Sequence, residues 1–379
     1  TTGIENVIIG GLAGNNITGG GFSGTTRQAG GDYNVVIGQA ALSSDTLGNK
    51  SIAIGVNALA TQNFTSSTNA FNTAVGHAAG TAVTTGIKNT LIGALAGDAL
   101  EDADNNTAIG YFALTADTLG SKSTAIGQGT LFAQNFTSAT DTLNTAVGYI
   151  AGVAVTTGVQ NTLIGANAGT ALQAVHDTTA VGYLALPAAT VGGNTAVGSE
   201  AFLSSTTGNS NVAMGIQAGR FATTADNTTF IGASAGKGIT GAKLTGNGNT
   251  AVGKDSGLLL QGAAANNTAV GLSALIANTT GANNTAVGTL AGGTISTGAT
   301  NTALGYRAMG GTSAKTGNTN VAIGSDTLFI MTSGANNTAV GYDAGGALTT
   351  GTNNLLLGKS AGLSGSPGGA LSTGSNDIA

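Results

Sequence analysis

A five-residue pattern, Asn-Thr-Ala-Val-Gly in its commonest form, recurs along the whole chain. Its Gly stands at 10, 38, 55, 76, 93, 110, 127, 148, 165, 182, 198, 215, 232, 253, 271, 288, 305, 324, 341 and 358. The residue before each Gly is Val, Ile, Leu or Met, and the residue two earlier than that is Thr, Val, Ile or Leu. Between them stands Ala in most copies, with Leu91, Leu163, Phe230 and Leu356 among the exceptions. Period-two alternation in a β-branched run predicts a short strand with two unlike faces, one of Val/Ile and Thr and one of Ala.

Twelve of the 19 gaps between successive Gly residues are 17 residues long, so the chain is a tandem repeat. A longer period of 72 residues, four repeats, also shows: TAVTTGIKNTLIGALAGDAL (81–100) returns as VAVTTGVQNTLIGANAGTAL (153–172). The fourth residue before Gly is Asn in 16 copies, replaced by Ser51, Ser123, Thr178 and Thr228 in the rest. Asn side chains stacked at the strand spacing of about 4.8 Å predict a hydrogen-bonded ladder. Three residues after Gly comes Ala in 17 copies, followed by Gly in 11 copies and by Leu, Phe or Met in the others. That small/apolar pair predicts a second short strand or a buried corner. The remainder, such as TTGANN or DTLGSKS, is turn chemistry. An amphipathic helix fails, because Gly, Asn and Thr interrupt every window and no 3.6-residue stripe survives.

The expected fold is therefore all-β: a parallel β-solenoid of flattened rolls, about 20 coils of about 17 residues, continuous over 1–379. At one strand spacing per coil it would form a rod of roughly 95 Å. A flat Ala face running the length of such a rod would be an unusual surface to leave to water. Its burial against copies of the chain predicts an oligomer, with a parallel homotrimer the preferred form. Both termini fall inside a repeat, TTGIEN (1–6) matching TTGIKN (84–89) and SNDIA (375–379) opening a further motif. Solenoids need capping coils, so the region is expected to be open at both ends and the natural polypeptide to continue beyond them.

Composition sharpens this reading. The 379 residues include 65 Gly, 2 Pro and no Cys or Trp, with 7% charged and 41% hydrophobic. A Gly-rich, charge-poor chain is often disordered, but disorder also requires few apolar residues; this much apolar surface must be buried, and its small residues suit a thin core repeated many times. No apolar run is long enough for a membrane span and no signal peptide opens the chain, so no membrane insertion is expected of this segment. The net charge of −5 forms no basic stripe, which argues against nucleic acid as a partner.

Candidate chemistry is sparse. The two histidines, His77 and His176, are 99 residues apart and in different parts of the repeat, with no Ser/Asp or metal-ligand partner in the pattern. No catalytic residue, cofactor or metal site is expected. Asp98, Glu101, Asp102 and Asp104 offer oxygens for Ca²⁺, but without a Ca²⁺-binding repeat they read as a solvated loop. The Asn-x-Thr sequons at Asn63, Asn105, Asn266 and Asn283 follow from the repeat composition.

Two features suit surface contact better. Tyr111, Tyr149, Tyr183, Tyr306 and Tyr342 all directly follow a motif Gly, with His77 in the same column. Within each run they lie two coils apart, a pitch at which exposed rings could stack on sugars; alternatively each covers its neighbouring turn. Long insertions, 19–33, TQNFTSSTNAF (61–71), AQNFTSATDTL (133–143) and GKGITGAKLTG (236–246), are the other feature. Phe64 and Phe136, equivalent by the 72-residue period, are candidate ligand-facing residues there, tucking back onto the coil being the alternative.

The N-[TV]-A-[VI]-G strand with Ala three residues later resembles the head repeats of trimeric autotransporter adhesins. It is similar also to the repetitive shafts of phage tail-fibre proteins that end in an endosialidase-type intramolecular chaperone. The resemblance covers essentially the whole chain and implies a homotrimer of left-handed parallel β-rolls. Two departures stand out: the coil is 17 residues rather than the shorter one of the adhesin heads, and no anchor, coiled-coil stalk or chaperone segment is visible. The expected role is a non-enzymatic structural and adhesive fibre segment of an extracellular appendage, with a cell-surface glycan or matrix as partner. An ice-binding or polysaccharide-binding β-solenoid is the alternative.

Overall fold

A computed structural model describes residues 5–18, 22–23, 26–27, 30–363 and 371–379, so parts of the 19–33 insertion and residues 1–4 lie outside the described residues. The chain divides into two compact units, Thr1–Gly192 and Gly193–Ala379. Each is a parallel β-solenoid, about 19 turns in all, with no helix among the described residues.

In the first unit the three-residue strands run from Val7–Ile9 to Thr179–Val181, each pairing in parallel with the next. In the second they run from Thr195–Val197 to Leu355–Leu357 with the same pairing. Register follows the motif: Thr107 faces Thr124, Ala108 faces Ala125 and Ile109 faces Ile126. Strands three residues long have no stability alone, so the repeat holds only because every backbone group at the motif finds its partner one coil on.

The two strand faces are assigned opposite to the sequence expectation. In every ladder strand after the first, whose Ile8 is half-buried, the central residue is buried, as at Ala74, Leu91, Ala125 and Ala146, while the Thr and Val/Ile on either side are partly exposed. The Ala face therefore lines the interior of the coil, and the Thr/Val/Ile face looks outward. The interior is too thin for two β-branched columns; a column of Ala fits it, and the ladder Asn, which has the same parity as Ala, is buried beside it.

The pair after the motif forms a buried corner rather than a second strand. Ala151 and its equivalents are buried, and the next residue takes a left-handed conformation, whether it is Gly152 at φ +61 or Leu131 at φ 49. That position holds either Gly or a large apolar residue, and the space around it decides which. A Cβ on Gly152 would stand 2.6 Å from Leu163 Cδ1 and 3.1 Å from Leu131 Cδ2. Where the strand centre is enlarged, Gly makes room: Gly152 and Gly169 flank Leu163, and Gly219 and Gly236 flank Phe230. The motif Gly has a different reason. Gly148 has φ +134 and a Cβ there would meet the Gly165 carbonyl at 2.7 Å, so a side chain would hold adjacent coils apart.

The Asn ladder forms, chiefly from side chain to backbone. Asn72 Oδ1 accepts the backbone N–H of Asn89 at 2.9 Å, and Asn72 Nδ2 donates to the Gly86 carbonyl at 2.7 Å. Direct amide–amide bonds join it in places, as between Asn337 and Asn320 at 3.0 Å.

Candidate functional site

The outward face of the strands repeats from coil to coil in either unit. None of its Thr, Val, Ile, Leu or Met positions carries a charge. Ile92, Ile164, Ile231, Val287 and Ile323 are each more than a third exposed. Thr alternates with Val, Ile, Leu or Met across this face, so it is uncharged and half apolar, and its columns run in register from strand to strand, a surface suited to contact.

Along one border of that face runs the column after the motif Gly. Tyr111, Tyr149, Tyr183, Tyr306 and Tyr342 are all about half exposed. Backbone bonds fix the column: Gly129 N donates to Tyr111 O, Ile150 N to Gln128 O, Asn167 N to Tyr149 O and Leu184 N to Ala166 O. In the second unit Asp326 N donates to Tyr306 O and Asp343 N to Ser325 O. The tyrosines thus alternate with small or polar residues. Aromatic neighbours extend the column at one point, where the Phe112 ring lies 4.0 Å from Tyr111 and 5.8 Å from Phe132.

Phe64 and Phe136 are 5% and 7% exposed, so of the two alternatives for these rings the fold adopts the second, each tucked back onto its coil rather than turned outward. The cause is a polar staple that pulls each insertion inward. Asp45 Oδ1 accepts the backbone N–H of Gly48 at 3.0 Å and of Phe64 at 3.3 Å, while Asp45 Oδ2 accepts from Gln62 Nε2 at 2.6 Å. Gln62 also donates to Ser51 Oγ and accepts from Asn72 Nδ2. Asp117, Gln134, Ser123, Asn144 and Phe136 repeat this network 72 residues later. Burial pushes both Asp45 and Asp117 carboxyls above the usual carboxylate range, against the opposing pull of the Gln62 and Gln134 hydrogen bonds. The 236–246 insertion is likewise anchored, Leu244 being buried against Ala222.

These buried polar groups escaped the sequence reading, yet a signal existed. The seventh residue after the motif Gly is apolar at Val83, Leu100, Val155, Leu172 and Ile295, but Asp45, Gln62, Asp117 and Gln134 occupy the same column. The two Ser that replace ladder Asn, Ser51 and Ser123, each precede such a Gln by 11 residues. Lys315 is a further case. Fully buried opposite Ile295, it donates from Nζ to the carbonyls of Phe329 at 2.8 Å and Met331 at 2.7 Å, and burial lowers its pKa to about 8.

The remaining candidates stay apart. His77 is exposed, and His176 uses Nδ1 to accept the Val159 N–H at 3.1 Å. In the acidic loop Asp98 accepts from Thr115, Asp102 from Thr85 at 2.6 Å and Asp104 from the Ile87 N–H at 2.7 Å, each bond joining adjacent coils. Among the described residues no three His, Cys, Asp or Glu side chains gather as a metal site, and no helix is long and apolar enough to cross a membrane.

The sequence matches no family model and no curated protein.

Proposed function

We propose that the chain is a structural and adhesive fibre segment of an extracellular appendage, a phage tail-fibre-like shaft or a bacterial surface adhesin. It assembles as a homotrimer through its Thr/Val/Ile faces and works without catalysis. The observation that carries this reading is the outward face itself: uncharged, a Thr column beside a Val/Ile column, and in register from coil to coil within each unit. In-register small and β-branched side chains let parallel copies approach closely along their length. The resemblance to trimeric adhesin heads and tail-fibre shafts points the same way. In this assembly the insertions and the exposed loops stay on the outside, where a host surface or matrix is met.

The test is molar mass by light scattering. Three chains per particle are expected, and a variant with I126K, V147K and I164K together is expected to dissociate while keeping its β-sheet circular dichroism. A wild-type chain that runs as a monomer at micromolar concentration overturns the proposal.

A second reading, ice binding, gains from the same face assignment, because the Thr column is outward rather than buried. Thr73, Thr90, Thr107 and Thr124 repeat at one strand spacing. Strong thermal hysteresis would favour it; its absence leaves the fibre reading in place.

A further inference from the structure

The tyrosine column has a geometry of its own. In the first unit Tyr111, Gln128, Tyr149, Ala166 and Tyr183 follow one another, one coil apiece. The backbone bonds between them fix each step at one strand spacing, so successive tyrosines stand about 9.6 Å apart. These tyrosines are 47%, 54% and 53% exposed, whereas Ala166 is a half-buried small residue and Gln128 an exposed amide. The second unit repeats the arrangement independently with Tyr306, Ser325 and Tyr342. Arg307 and Lys359 approach the rings there, at 5.7 and 6.0 Å.

Three aromatic rings are held half-exposed at a fixed pitch on the ladder; among the described residues only Tyr111 of the three packs on another ring, that of Phe112. Tyr is suited to a partner with an apolar face and a polar rim. A pyranose ring is such a partner, with axial C–H groups on its faces and hydroxyls around its edge. In an extended β-1,4-linked glycan each ring is turned over relative to the last, so alternate rings present the same face in the same direction. The repeat of two such sugars is close to the spacing of two strands. We propose that the Tyr111–Tyr149–Tyr183 column binds an extended β-1,4-linked glycan, one tyrosine under every second sugar. Gln128 hydrogen-bonds the hydroxyls of the ring between the first two. Tyr306 and Tyr342, with Ser325 between them, form a shorter platform of the same kind. The inference does not depend on assembly through the Thr/Val/Ile face, which lies beside the column.

The experiment is calorimetric titration of the full chain with cellohexaose and with chitohexaose, with α-linked maltohexaose as the curved control. At least one β-1,4 hexasaccharide is expected to bind, and maltohexaose is not. Y149S, which removes the middle ring, is expected to weaken binding about tenfold or more. A second variant, Y149S/A166Y, keeps three rings but breaks the two-coil pitch, and is expected to bind as weakly as Y149S. Molar mass is measured on each variant in parallel. Failure of both β-1,4 hexasaccharides to bind overturns the proposal, as does binding that survives Y149S. A change of molar mass in Y149S without any glycan affinity in the wild type also overturns it, by assigning the column to contact between chains. The fibre reading fails instead on the wild-type mass, so the two outcomes are separable.

Discussion

Asn89 Oδ1 accepts the backbone N–H of Asn106, one coil on, at 2.9 Å, and Asn89 Nδ2 donates to the Ala103 carbonyl at 2.7 Å. One side chain therefore satisfies two buried backbone groups of the following coil, and Asn106 repeats the arrangement with Ser123 and Gly120. The Asn ladder is a row of clamps, each closing the turn of its neighbour. Replacing Asn89 by Ala leaves a buried donor and a buried acceptor without partners, an expected local cost of about 2–5 kcal/mol. Asn89→Asp keeps the acceptor but turns the donor into a carboxylate oxygen facing the Ala103 carbonyl and buries a charge, and should cost more than Ala at neutral pH. Because a solenoid opens locally, the measurement is amide hydrogen exchange at Asn106 and its neighbours rather than a global midpoint. Unchanged protection in N89A would show that the clamp contributes nothing.

Gly152 and Leu163 occupy one space. Gly152→Ala adds a methyl 2.6 Å from Leu163 Cδ1 at a residue with φ +61, and should destabilise by about 1–3 kcal/mol. Leu163→Ala opens a cavity and should cost about 2–5 kcal/mol alone. The double variant should be less destabilised than the sum, since the cavity admits the methyl. Chemical denaturation of the four proteins gives the coupling directly, and strict additivity would mean the two sites do not share that space.

Asp45 holds the 61–71 insertion against the coil through Gly48, Phe64 and Gln62. Asp45→Ala removes all three acceptor contacts and is expected to release Phe64, making the insertion the first site of limited proteolysis. Asp117→Ala should do the same to 133–143. If both variants resist protease as the parent does, the staple is not what secures the insertions.

Lys315 sets a pH dependence whose sign is fixed by burial. Its pKa is lowered from 10.5 to about 8, so between those values the unfolded chain keeps a proton that the folded chain has released. Stability should therefore rise as pH climbs from 8 to 10.5, by about 3 kcal/mol from this group, and the penalty of the buried charge should be constant below 8. Lys315→Met removes the titrating group, so the rise in wild type relative to K315M is the readout, from denaturation midpoints at pH 7.5 and 10.5. A difference that stays flat with pH contradicts the burial of a chargeable amine at this position.

The parallel ladder was legible because strand parity and a 17-residue step leave few other ways to bury so many short apolar runs. Register was legible for the same reason: Asn, Thr, Ala and Val each keep their column. Which face points inward was not. Neither face is charged, and the choice depends on the corner at residues such as Ala151 and Gly152, where the chain turns through left-handed backbone. Leu131 and Leu186 adopt that conformation at φ 49 and φ 50, which residue type alone does not favour. The placement of Phe64 and Phe136 was hidden for a different reason. An insertion reads as exposed loop unless its anchor is seen, and Asp45 and Asp117 read as ordinary turn residues until the apolar column they interrupt is lined up. The tyrosine column, by contrast, needed only the repeat to place it.

The proposed trimer brings the Thr/Val/Ile faces of parallel copies together in register. A chain with no native Cys makes it directly measurable. Single cysteines at Val147 and at Ile164, each spin-labelled in turn, report the interchain distance at two successive coils by pulsed electron paramagnetic resonance. Parallel in-register copies give one short distance, the same at both positions. Absence of any interchain coupling, or distances that diverge between Val147 and Ile164, would contradict the assembly.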